Sequence, residues 1–159
     1  MNFRVLGSGT QEHCNQLPLP KIFVWISILI ASGLLFSQCG DGSSAKFNQY
    51  YVQGEKLYLQ HCSNCHQKDG TGLGRVYPPL NTSDFMEKNF DEVICLIKFG
   101  ISGELIVNGN QYNQPMKGID GLSDLEIAEI ATYIYNTWDH KRGIVGVKEG
   151  STILPQCGE

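Results

Sequence analysis

Hydrophobic and polar residues follow several rhythms along this chain, and each change of rhythm marks an element. Residues 22–36, IFVWISILIASGLLF, form an apolar run without a charge, with Lys21 just before it and small or polar residues after it. About 15 apolar residues fall short of the roughly 20 that span a bilayer and match the hydrophobic part of an export signal. A short uncleaved membrane anchor is the alternative. Further on, Tyr50, Tyr51, Gly54, Leu57, Tyr58 and His61 recur at spacings of three and four. That period predicts a helix over about residues 47–62. Asp91 and Glu92 at one end and Gly100 at the other bracket a second helix over residues 91–99. A last helix opens with a capping box, Ser123 and Glu126, and is predicted over residues 124–138. Ile127, Ile130, Ala131, Ile134 and Trp138 form its apolar stripe, with Tyr133 at the margin.

The connecting pieces have their own signatures. Residues 67–77 contain Gly70, Gly72 and Gly74, and Pro78-Pro79-Leu80 closes that loop in an extended piece. Asn81-Thr82-Ser83-Asp84 suits the cap of a short helix near Phe85 and Met86. Ile106-Val107-Asn108-Gly109-Asn110-Gln111-Tyr112 reads as a tight hairpin, because Asn-Gly accepts the positive φ angles of a two-residue turn. It leads into Asn113-Gln114-Pro115-Met116-Lys117-Gly118. Residues 139–159 show no period and are expected to form a surface tail or a partly disordered segment.

The candidate chemistry sits in Cys62-Ser63-Asn64-Cys65-His66. C-x-x-C-H is the attachment pattern of c-type haem. Two thiols at this spacing can each add to a vinyl group on one edge of the macrocycle, which sets the next residue, His66, under the iron. Imidazole is a good haem ligand. A dithiol redox pair would need a βαβ setting, and a zinc site would need a second pair of soft ligands. The chain has no second C-x-x-C, and Cys95 and Cys157 stand alone.

Composition narrows the setting. The apolar run ends at Leu35-Phe36-Ser37-Gln38-Cys39-Gly40, which looks like a loose lipobox, with Gln38 where a small residue is usual and Cys39 as the lipid-bearing residue. Gly40-Asp41-Gly42-Ser43-Ser44 then reads as a flexible tether. The expected layout is a signal peptide over 1–38, lipid-bearing Cys39 and tether over 39–46, a folded domain over 47–138 and a tail over 139–159. Without residues 1–38 the chain has ten Lys and Arg against fifteen Asp and Glu, a net charge of −5 with the signs interspersed. No basic stripe suggests nucleic acid. About 120 residues make a small core that gains from burying a large apolar cofactor.

A Met thioether is the usual second partner of a His-ligated haem in electron carriers. Met116 lies in a Pro-Met loop just before the last helix, where the chain can cross the distal face. Met86 lies close to His66 in sequence, within a short helix, and is expected to fill the core. His61 is tied too near the attachment edge to reach across. His140, past the last helix, is expected in solvent.

Over residues 47–138 the chain resembles class I cytochrome c, in particular the bacterial single-haem domains of respiratory chains. The residues that carry the resemblance are Cys62-x-x-Cys65-His66, then Gly54 and Tyr58 ahead of it, and Tyr77-Pro78-Pro79-Leu80. Val107-Asn108-Gly109-x-x-Tyr112-Asn113-x-Pro115-Met116 and Leu122-Ser123-x-x-Glu126-Ile127-x-x-Ile130-Ala131-x-Tyr133-Ile134 complete it. The resemblance implies an all-α cytochrome c fold, three to four helices around one haem c, with a short β-hairpin before the Met loop. It further implies that His66 and Met116 ligate the iron and that the Pro78 carbonyl, or less favourably that of Pro79, accepts a hydrogen bond from His66 Nδ1. Leu80 and Ile97 would line the pocket, and Ile130 and Tyr133 would meet Gly54 and Tyr58 where the first and last helices cross.

The chain departs from the family in its longer tail, in its extra Cys95 and Cys157, and in lacking a ring of lysines around the motif. In an oxidising compartment the two extra thiols could pair and pin the tail to the second helix. Cys95 as a plain buried residue is the other reading. The expected function is one-electron transfer with redox partner proteins of a respiratory chain, at the periplasmic side of a bacterial membrane, held by a lipid anchor. The alternatives are a haem-c subunit through which electrons enter a larger oxidoreductase, and a peroxidase-like or ligand-sensing haem. No residue stands out as a catalytic nucleophile or acid–base pair.

Overall fold

A computed structural model describes residues 42–158. The export signal over 1–38 and the lipid-bearing Cys39 lie outside the described residues. Among the described residues six α-helices and four very short strands follow in order: α1 Gly42–His61, α2 Ser63–His66, α3 Asp84–Lys88, α4 Phe90–Phe99, β1 Gly100–Ile101, β2 Leu105–Val107, β3 Asn110–Tyr112, β4 Met116–Lys117, α5 Asp124–Ile134 and α6 Val147–Ile153. Among the described residues no helix is long and apolar enough to cross a membrane. The mostly helical architecture agrees with the cytochrome c fold expected from the sequence.

α1 and α5 pack face to face and form the frame. The contact depends on Gly54: a Cβ there would lie 2.0 Å from the carbonyl oxygen of Glu129 and 2.8 Å from Tyr133 Cβ. Only a bare Cα lets the two backbones come this close. Around it the Tyr133 ring packs at a tilt against those of Tyr51 and Tyr58, with centroids 5.2 and 5.3 Å apart. Tyr133, expected at the margin of the stripe, is therefore buried in the crossing. α5 starts as expected, with Ser123 and Glu126 closing a capping box.

The hairpin also follows the expectation. Val107 pairs with Asn110 across Asn108 and Gly109, both at positive φ, as a type I′ turn requires. Asn108 and Asp84 then exchange two hydrogen bonds, each side-chain oxygen accepting from the other's amide, which lashes the hairpin to the start of α3.

Several boundaries differ from the expectation. α1 reaches back to Gly42, so residues 42–46 are helical rather than a loose tether. α5 stops at Ile134 instead of running to Trp138. Asn136 ends it: its amide donates to the carbonyls of Thr132 and Gly143, and its Oδ1 accepts from the Gly143 amide. Trp138 adopts a φ of 58° and turns its ring onto Tyr58.

The tail is ordered, contrary to the expectation. Val145 is fully buried and its amide and carbonyl both bond to the Thr132 hydroxyl. The Arg142 guanidinium lies 3.5 Å over the Phe90 ring. α6 follows, and Cys157 forms a disulfide with Cys95 of α4 across 62 residues of sequence. The pairing reading of the two extra cysteines is the one the structure contains.

Candidate haem site

Between these helices lies an apolar cavity of about 380 Å³. Cys62, Cys65 and His66 come to its wall from the end of α1 and from α2. Pro78 and Leu80 come from the following loop, and Met116 from β4. The sequence-derived site residues within the described region thus converge on one place. Cys62 and Cys65 are both free thiols and both half-buried.

α2 is a single turn that sets the motif. The amides of Cys65 and His66 both bond to the Cys62 carbonyl, so the two thiols and the imidazole belong to one tight turn. Burial, and then the neighbouring Cys65, push the Cys62 thiol up to about 12. Such a thiol is protonated at neutral pH and is a poor dithiol redox group or zinc ligand.

His66 is buried, and its Nδ1 lies 3.0 Å from the Pro78 carbonyl oxygen. A carbonyl only accepts, so Nδ1 carries the proton and Nε2 keeps its lone pair. Burial lowers the His66 pKa, with the Pro78 bond opposing it, so the ring stays neutral. A neutral imidazole with a free Nε2 at an apolar cavity is what a haem iron needs. Pro78, not Pro79, supplies the carbonyl.

Met116 is placed by a route the sequence did not display. Its strand β4 pairs with β1, Met116 opposite Ile101, and β1 is the direct continuation of α4. Gly100 makes that pairing possible: it sits at φ 73°, and a Cβ there would lie 2.2 Å from the Met116 carbonyl oxygen. Lys98 adds a hydrogen bond to the Leu122 carbonyl, tying α4 to the loop before α5. Ile97 lines the cavity, as expected.

Met86 reaches the cavity wall too. It is 2% exposed, its amide bonds to the Ser83 hydroxyl and its carbonyl accepts from the Tyr135 hydroxyl. Ile130 turns to the cavity, while Gly54 meets Glu129 and Tyr133. His140, expected in solvent, is buried, and its Nε2 lies 2.7 Å from the Leu80 carbonyl oxygen. Nothing in the local sequence signals that contact, because it joins residues 60 positions apart.

The donor set fits haem c. Two free thiols at C-x-x-C spacing, a neutral imidazole, a thioether and apolar walls are the groups that covalent attachment and iron ligation use. The comparisons with known proteins agree. Residues 51–134 match the family described as cytochrome C oxidase, cbb3-type, subunit III. A cytochrome c-552 of Thermus thermophilus is 31% identical over 101 residues, which cover 61% of this chain and 76% of that protein. A second cytochrome c-552 of the same species is equally similar, with 68% of its length covered. The cytochrome c subunit of a quinone alcohol dehydrogenase from Gluconobacter oxydans is 30% identical over 54% of this chain but only 18% of that subunit. Fold, thiol spacing and family match therefore place this chain among the class I c-type cytochromes, electron carriers with covalently bound haem c.

Proposed function

We propose that this protein is a single-haem carrier that passes one electron at a time between membrane respiratory complexes, with His66 and Met116 as the residues that would hold the iron. One observation carries the reading: His66, Met116 and the free thiols Cys62 and Cys65 line the same apolar cavity. Bound there, haem c supplies a one-electron Fe(III)/Fe(II) couple. Cys62 and Cys65 would hold it covalently. The Pro78 carbonyl fixes the His66 tautomer and raises the basicity of the ring. Leu80, Ile97 and Ile130 keep water away. Met116 would be the second residue to hold the iron, and its thioether would raise the potential. With His66 and Met116 both holding the iron, oxygen and peroxide would find no open site.

The apolar run over residues 22–36 and the Cys39 that follows support export and lipid attachment at the periplasmic side of a bacterial membrane. Confinement to that surface raises the effective concentration for encounter with partners. The similarity to the cytochrome c subunit of a quinone alcohol dehydrogenase favours a second reading, a subunit through which electrons enter a larger oxidoreductase.

Carbon monoxide added to the reduced protein tests the closed site. An unchanged spectrum is expected. A rapid adduct, together with peroxide turnover, would point instead to a peroxidase-like or ligand-sensing haem. Purification from detergent-solubilised membranes separates the first two readings: a carrier emerges alone, a subunit emerges with a dehydrogenase or oxidase at fixed stoichiometry.

A further inference from the structure

The Pro78 carbonyl accepts from His66 Nδ1 at 3.0 Å. The segment that carries it has few anchors of its own. Pro78 and Pro79 have no amide hydrogen, so Leu80 supplies the first N–H after Tyr77, and it bonds to the Gly70 carbonyl at 2.7 Å. On the other side, the Leu80 carbonyl meets His140 Nε2 at 2.7 Å. A carbonyl cannot donate, so Nε2–H is the donor. His140 comes from beyond α5 and is 8% exposed.

His140 is itself firmly placed. Its amide bonds to the Thr137 carbonyl, and the Thr137 hydroxyl bonds to the Tyr133 carbonyl at 2.7 Å. Tyr135, on the same turn and with its ring 6.1 Å from that of His140, holds a different carbonyl, that of Met86. The turn after α5 thus grips the chain at two points, and one of them lies two residues from the carbonyl that orients the proximal imidazole.

We propose that His140 is a positioning residue for the haem ligand His66. It acts through Leu80, holding the 78–80 segment so that the Pro78 carbonyl stays on Nδ1–H. When His140 is lost, that carbonyl retreats, the imidazole becomes less basic, and Fe(III) is less stabilised. The reduction potential then rises. This rests on the proposed His66 ligation.

The test is a redox titration of three holoprotein variants. His140→Leu removes the donor but keeps an apolar filling. The expected change is two- to fivefold in the Fe(III)/Fe(II) equilibrium toward Fe(II), roughly 20 to 40 mV at 59 mV per tenfold for one electron. His140→Gln keeps an N–H near the position of Nε2 and should stay within twofold of wild type. Tyr135→Phe loosens the same turn at Met86 and should also stay within twofold. A His140→Leu potential within twofold of wild type, or a Tyr135→Phe shift as large as that of His140→Leu, overturns the proposal. If His140→Leu does not fold, nitrogen-15 NMR of histidine-labelled ferrous wild type decides. A slowly exchanging His140 Nε2–H supports the role, and a proton on Nδ1 alone overturns it. A wild-type spectrum that is not low-spin would sink the ligand reading itself. An intact wild-type spectrum with an unmoved potential sinks only the role of His140.

Discussion

Replacing Gly54 by alanine tests the packing that holds the haem cavity together. The new methyl would sit 2.0 Å from the Glu129 carbonyl oxygen, 2.6 Å from its carbonyl carbon and 2.8 Å from Tyr133 Cβ. Two of the three are backbone atoms of a regular helix, which cannot rotate away. Restoring an ordinary contact needs about 1.4 Å of separation between α1 and α5, and a gap of 0.5–1 Å already forfeits about a quarter to a half of a van der Waals contact. Overpacking costs about 1–3 kcal/mol, and this site belongs at the upper end because nothing nearby is flexible. Loosened Tyr51–Tyr133 and Tyr58–Tyr133 contacts add about 1 kcal/mol. The better helix propensity of alanine returns about 1 kcal/mol. The net expectation is a loss of about 3 kcal/mol, read from guanidinium denaturation of the holoprotein. Gly150→Ala in α6 is the matched control, because a Cβ there meets nothing within 4 Å. It should be neutral or stabilising by up to about 1 kcal/mol. A Gly54→Ala protein as stable as wild type would refute the close-crossing argument.

Further tests address other parts of the structure. Replacing both Cys95 and Cys157 with alanine removes a cross-link over 62 residues and should cost up to about 4 kcal/mol on the chain-entropy account, seen as a lower denaturation midpoint. Two free thiols in the unreduced, unfolded protein beyond any at Cys14, Cys39, Cys62 and Cys65 would contradict the bridge. The Asp84 carboxyl is held below its usual pKa, mainly by the Asn108 amide and then by Lys88. A depressed folded pKa gives stability that is present above the unfolded value and lost as pH falls through the folded one, so Asp84→Asn should flatten the acid limb of a stability–pH curve, roughly below pH 4. An acid limb as steep in Asp84→Asn as in wild type would show that the bonds of the Asp84 carboxylate to the Asn108 amide and Lys88 are worth nothing. Tyr58→Phe removes a hydroxyl that burial keeps protonated and that donates to the Gln67 carbonyl; thermal melting should show a loss of about 1 kcal/mol, and no change would mean water replaces the bond.

The parts of this fold that were legible in the sequence are the ones specified locally. Ser123 and Glu126 cap α5 within one turn, Asn108-Gly109 turns the hairpin, and Cys62, Cys65 and His66 lie within five residues. Each needs only its neighbours. The family resemblance supplied Pro78 against His66 and the Gly54 crossing, which no local period displays.

What escaped the sequence depends on distant partners. The segment after Ile134 has no period because its order comes from Thr132 with Val145, Asn136 with Gly143, Arg142 over Phe90, and the Cys95–Cys157 bridge. Polar, Gly-containing residues looked like a tail because their contacts are made one at a time. Trp138 matched the apolar stripe of α5 by spacing, yet the chain leaves the helix before it and swings the ring onto Tyr58. β1 and β4 are two residues each, too short for any alternation, although they set the position of Met116. At the other end, the Gly and Ser residues that suggested a tether continue α1 back to Gly42.

The central claim is that the cavity holds a haem ligated by His66 and Met116. Both Met116 and Met86 reach its wall, so the absorption spectrum of the oxidised protein and of its two methionine variants tests the claim most directly. A weak far-red band, the mark of Met–Fe(III) ligation, is expected in wild type and in Met86→Ala. It should vanish in Met116→Ala, with a lower reduction potential. A band that survives Met116→Ala and disappears in Met86→Ala would contradict the ligand assignment, and a high-spin wild-type spectrum without the band would contradict the closed electron-transfer site altogether.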